Sequence, residues 1–92
     1  TDYSAHTEYC NSENSSLITI TEEEEAFDGK WFHGGGKWAK FGDPQIKQLA
    51  SHMKQIHTAK KSGFNLYNQA GVNTAKQYTW DNTAAKMTER WA

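Results

Sequence analysis

The stretch that most constrains this chain is residues 26–42, where five of its seven glycines are interleaved with Phe27, Trp31, Phe32, Trp38 and Phe41. Gly34, Gly35 and Gly36 are consecutive, and glycine loses more backbone freedom on folding than any other residue. No helix is expected to cross such a run. The stretch reads as a long irregular loop that its aromatic side chains must pin down. It divides the chain into a leading part fit for short strands and a trailing part fit for helices.

Residues 1–14 read as a loop running into a short helical turn. The opening Thr1-Asp2-Tyr3 has the look of a strand tail and the loop after it, which predicts the body of that strand upstream. Ser16 to Thr21 (Ser-Leu-Ile-Thr-Ile-Thr) is the best strand, β-branched and bounded by polar residues. The four carboxylates of Glu22 to Glu25 repel one another and read as a solvated run.

Helical periodicity begins at Asp43-Pro44, a good N-cap followed by a proline suited to the first helical position. Ile46, Leu49, Ala50, Met53 and Ile56 then recur at steps of three and four, one face of a helix. Lys60-Lys61-Ser62-Gly63 supplies cations at the negative end of its dipole and a glycine stop. A second helix is expected over 64–78, with Gly71 costing it about 1 kcal/mol against Ala. Thr79 caps a third, whose Trp80, Ala84, Met87 and Trp91 form an apolar stripe. The predicted class is α/β and mainly helical, with one or two short strands, a long Gly/Trp loop and three helices.

At 92 residues the chain is at most one small domain, able to bury only about two-thirds of its unfolded surface. A net charge of −1 gives no electrostatic case for nucleic acid or an anionic membrane. No apolar run approaches the ~20 residues of a transmembrane helix, and no signal peptide is legible. The single Cys10 cannot form an internal disulfide, which points to a reducing, cytoplasmic setting. Asn14-Ser15-Ser16 matches a glycosylation sequon, but nothing else points to secretion.

Few constellations carry chemistry. His52 and His57 are separated by about 140° on a helix and cannot share a metal; neither a metal site nor a cofactor is expected. Cys10 near His6 has the residue types of a nucleophile and its base, and equally those of an ordinary half-buried cysteine beside a turn. Gly34-Gly35-Gly36-Lys37 lacks the spacing, the following Ser or Thr and the strand-to-helix setting of a phosphate loop. His6 and Glu8 enter a helical turn whose backbone N–H groups can face an anion; Thr7 and Glu8 can equally be plain caps of that turn.

Taken as an ordered set, several segments carry a resemblance: Thr1-Asp2-Tyr3-Ser4-Ala5-His6-Thr7-Glu8-Tyr9, Glu13-Asn14-Ser15, Asp28-Gly29-Lys30-Trp31-Phe32, Gly36-Lys37-Trp38-Ala39 and Tyr78-Thr79-Trp80-Asp81-Asn82-Thr83-Ala84. They resemble the C-terminal segment of retaining, nucleotide-sugar-dependent glycosyltransferases of the GT-B class, the glycosyl transferases group 1 family. The resemblance covers nearly the whole chain, with Ala5 standing where that family usually has Gly. It implies that residues 1–92 are part of a Rossmann-like donor-binding domain, ending in a crossover helix (79–92) that packs on the N-terminal domain through Trp80, Met87 and Trp91. Ser4, His6 and Glu8 are then expected near the donor-site cleft, since ligands in doubly wound sheets bind outside the carboxyl ends of the strands. The family's Glu-x7-Glu element and its diphosphate-holding Arg/Lys pair would lie upstream of Thr1. No catalytic residue is therefore assigned within the chain. The nucleotide-sugar donor is a partner expected only of the full-length parent; the chain alone is expected to be inactive and to self-associate through apolar helix faces. The alternative reading is a small non-enzymatic module that binds carbohydrate or peptide on Trp31, Trp38 and the glycine loop.

Overall fold

The computed structural model describes residues 1–91 as an α/β arrangement of one two-stranded antiparallel sheet and three helices. The glycine-rich stretch is the main correction to the sequence reading. It is not an irregular loop but most of a β-hairpin, with β1 over Glu23–Phe27 and β2 over His33–Ala39. Glu23 pairs with Ala39, Glu24 with Trp38, Glu25 with Lys37 and Phe27 with His33. Between the last two pairs Ala26 alone is set against Gly34–Gly36, so the glycines absorb a bulge rather than break the strand. Gly34 and Gly35 accordingly take φ of +89° and +83°, angles that cost a residue with a Cβ. The carboxylate run is as exposed as expected, but it lies in the leading edge of this sheet and not in a loop.

Ser16 to Thr21, the best strand by composition, forms none. Backbone and side-chain groups from elsewhere hold it instead. Asp2 donates its backbone N–H to the Ile18 carbonyl at 2.8 Å, and three side chains of the first helix, α1 (Asp43–Lys61), reach the backbone of 17–19. Gln48 Oε1 accepts the Thr19 N–H at 2.7 Å, Gln45 Nε2 donates to the Thr19 carbonyl at 3.1 Å, and His52 Nε2 donates to the Leu17 carbonyl at 2.7 Å. A segment bonded in this way has no second strand to pair with. Tertiary placement overrides its propensity.

Helix α1 runs over Asp43–Lys61, as its periodicity predicts. Its cap sits one residue earlier than expected, at Gly42, whose N–H is accepted by Gln45 Oε1 at 2.9 Å. The stop is a Schellman motif: Gly63 at φ +81° donates to Lys60 O, and Phe64 donates to Ala59 O. Helix α2 is only Gln69–Ala75, shorter than the 64–78 expected. Asn65 Oδ1 accepts the Tyr67 N–H and Asn68 Oδ1 accepts the Gly71 N–H. These Asn side chains offer the backbone an alternative to helix and fix its start at Asn68. Helix α3 spans Trp80–Trp91, with Thr79 Oγ1 accepting the Asn82 N–H at 3.1 Å as the predicted cap.

The exposure pattern of α1 is inverted. Gln45 is 6% exposed and Gln48 and His52 are half-buried, whereas Ile46, Leu49, Met53 (63%) and Ile56 face solvent. The stripe of α3 is barer still, with Trp80 88% and Trp91 77% exposed. Ile18 and Ala26 are the only buried apolar residues among those described. Among the described residues no helix packs against another element; β1 and β2 form the one packed pair. The accessible surface is 7909 Å², against about 5,400 Å² for a folded chain of this size. The radius of gyration is 17.8 Å, against about 12 Å for this length.

Candidate functional site

Ser4, His6 and Glu8 lie together at the leading turn, a 3₁₀ turn over Ala5–Glu8. Thr7 builds it, donating its N–H and its hydroxyl to the Ser4 carbonyl at 3.1 and 2.7 Å. Ser4 carries the strain: its φ of 71° and ψ of −154° fall in a region used almost only by glycine.

The three side chains differ in how firmly they are held. The His6 ring nitrogen Nε2 is hydrogen-bonded to the Thr1 carbonyl and is half-buried. Ser4 and Glu8 are exposed, and neither side chain has a hydrogen-bond partner among the described residues. The turn is tied to the far end of the chain instead. Tyr78 donates its hydroxyl to the Glu8 carbonyl at 3.3 Å, and Tyr9 meets Tyr78 edge to face at 5.9 Å between ring centres.

A cavity of about 340 Å³ lies behind that aromatic pair, lined by residues that include Tyr9, Cys10, Asn14, Gly71, Thr74 and Tyr78. Ser4, His6 and Glu8 do not line it. Asn14 closes one wall, donating to the Tyr9 carbonyl at 2.8 Å and to Thr74 Oγ1 at 3.0 Å. Cys10 is half-buried and free; what joins it to His6 is its backbone N–H on the His6 carbonyl at 2.9 Å. Among the described residues no three His, Cys, Asp or Glu side chains are grouped to hold a metal ion, and no helix is long and apolar enough to cross a membrane.

The hairpin presents a second locus. Its tip is closed by Asp28, whose backbone N–H donates to Phe32 O at 3.1 Å. Asp28 Oδ1 accepts the N–H groups of Lys30, Trp31 and Phe32 at 2.8, 2.8 and 2.9 Å. The Phe32 N–H, then that of Lys30, with Trp31 adding to them, holds the carboxyl below its ordinary 3.8. The two tryptophans of the hairpin have different surroundings. Trp38 donates its Nε1–H to Glu24 Oε1 at 3.1 Å and meets Phe32 edge to face at 5.3 Å. Trp31 is 75% exposed, with Lys30 Nζ 5.8 Å from its ring centre.

Trp80, Met87 and Trp91 lie along α3 with their side chains exposed. The inner polar stripe of α1 (Gln45, Gln48 and His52) is what the sequence reading missed. Two glutamines and a histidine at steps of three and four are a visible pattern, but polar residues at that spacing normally mark a solvated face.

Compared with models of protein families, with curated proteins and with solved structures, the chain matches none.

Proposed function

We propose that this chain is the C-terminal part of the donor-binding domain of a cytoplasmic GT-B glycosyltransferase, which transfers a sugar from a nucleotide-sugar donor with retention. The observation that carries the reading is the inverted exposure of α1, together with the bare stripe of α3. A helix whose apolar side faces water has been built for another layer. In a Rossmann-like domain that layer is a sheet, and in a GT-B enzyme the last helix lies on the other domain. The ordered motifs from Thr1 to Ala84 supply the family. Ser4, His6 and Glu8 then lie near the donor, in a turn whose strain at Ser4 is of the kind found at binding sites. The chain alone is inactive, since catalysis needs charge positioned in a closed cleft. It self-associates through Trp80, Met87 and Trp91.

The test begins with the coding sequence preceding Thr1. The reading expects a few hundred further codons, with a Glu-x7-Glu element roughly a helix and a loop before Thr1. The protein so encoded should bind a nucleoside-diphosphate sugar, and His6→Ala or Glu8→Ala should weaken that binding. A start codon immediately before Thr1 would end the proposal.

A further inference from the structure

The exposed apolar side chains of α1 (Ile46, Leu49, Met53 and Ile56) and of α3 (Trp80, Met87 and Trp91) recur at helical spacing and form stripes of the sort that elements pack upon. Phe27, Trp31 and Phe32 belong to no stripe. They crowd one hairpin tip, and all three are exposed. The tip does not depend on a covering layer for its shape, because Asp28 ties down Lys30, Trp31 and Phe32 from within and Gly29 takes φ +75°. A large aromatic is thus held in water on a turn that fixes its backbone.

Size and charge limit what this tip can hold. Aromatic side chains offer about 150–250 Å² each, so the three partly exposed rings present a few hundred Å². That is well short of the roughly 800 Å² per partner of a stable protein interface, and it matches a ligand of one or two rings. The strand beneath carries Glu23, Glu24 and Glu25, which repel phosphate- and carboxylate-bearing ligands. The turn offers polar groups suited to neutral hydroxyls: the Asp28 carboxylate, bound to the Trp31 backbone N–H and with a second oxygen to offer, the Lys30 ammonium over the ring, and the ring's own Nε1–H.

We propose that the hairpin tip is a platform for a neutral pyranose ring, stacked on Trp31 and hydrogen-bonded by Asp28 and Lys30. Lys30 lies over the Trp31 ring and leaves the opposite face for the axial C–H groups of a sugar. Trp38 takes no direct part; its indole N–H is bound to Glu24, and its ring braces Phe32 from below. Sugar binding at the tip stands by itself and does not depend on the transferase reading, which fails separately if the upstream sequence is missing.

The experiment is a titration of the chain with cellohexaose and maltohexaose, read by the Trp31 indole N–H resonance and by tryptophan fluorescence. One of the two sugars should shift that resonance saturably, with a Kd of about 1 mM, near −4 kcal/mol. Trp31→Ala should abolish the response and Asp28→Ala weaken it at least several-fold. Trp80→Ala, which removes the most exposed tryptophan, should leave it intact, and polygalacturonate should bind more weakly than either neutral sugar. No shift with either neutral sugar would overturn the proposal. So would equal loss in Trp80→Ala, or Lys30–Phe32 amide shifts showing the turn unformed.

Discussion

The two long sides of α1 are opposites, both in what they carry and in what they meet. One side is polar and buried: Gln45, Gln48 and His52 spend their hydrogen bonds on the backbone of residues 17–19. The other is apolar and bare, with Ile46, Leu49, Met53 and Ile56 in solvent. Hydrophobic burial is normally the dominant favourable contribution to folding, yet here hydrogen bonds fix the local order and the apolar surface lies unused. The lesson is that local order in this helix comes from its polar side, while its apolar side meets no other element among the described residues.

Substitutions on the two sides should therefore behave unequally, and amide exchange is the way to read them because openings here are local. The largest effect belongs to Ile18→Ala, which removes one of the few buried apolar side chains and should cost about 2–4 kcal/mol. The amides of Asp2 and Thr19 would then lose protection by well over tenfold. Next comes Gly34→Ala. Its φ is +89°, and a Cβ would meet only the flexible end of the exposed Glu25 side chain, so the backbone penalty of roughly 1–2 kcal/mol sets the cost. The backbone pairing of residues 25 and 37 should weaken, read as lost protection of their amides.

Gln45→Ala removes its hydrogen bonds with the Gly42 N–H and the Thr19 carbonyl and should cost about 1–2 kcal/mol, seen at the Gly42 amide, which loses its acceptor. Asp28 gives a pH effect confined to the hairpin tip. Its folded-state value is depressed, so its contribution is fully present above 3.8 and is lost as the pH falls through the folded value. The Lys30–Phe32 amides should lose protection below that point, and Asp28→Ala should expose them at every pH. Leu49→Gln with Met53→Gln should do least, changing protection by no more than about 0.5 kcal/mol while improving solubility. If the outer pair proved as costly as Gln45→Ala, the contrast between the two sides would collapse.

Helices α1 and α3 were the legible part of the fold; α2 was expected over 64–78 and is only Gln69–Ala75. Periodicity, the Lys60-Lys61-Ser62-Gly63 stop and the Thr79 cap rest on local chemistry, and local chemistry decided them. The hairpin was missed, although Asp28-Gly29 between Phe27 and Phe32 is a turn signal between apolar residues. The glycine triplet concealed it, because only pairing with β1 reveals that those glycines form a bulge. Ser16 to Thr21 misled in the opposite sense, since a β-branched run becomes a strand only where a neighbour accepts its ladder. At the leading turn, the sequence placed Ser4, His6 and Glu8 side by side. Strain at Ser4 was not visible, because it depends on how Thr7 turns back on the Ser4 carbonyl. The Tyr9–Tyr78 wall of the cavity joins residues far apart in the chain, and no local pattern announces such a contact.

The apolar faces of α1 and α3 are proposed to belong against a layer outside residues 1–92. Calorimetry of the isolated chain, with a hydrophobic dye present in a parallel sample, decides this. The expected result is no cooperative heat-absorption peak, with strong dye binding at the temperatures where the helices are still present by circular dichroism. A monomer that excludes dye and melts in one sharp transition, with an enthalpy near the ~60 kcal/mol of a self-sufficient domain of this length, would contradict it.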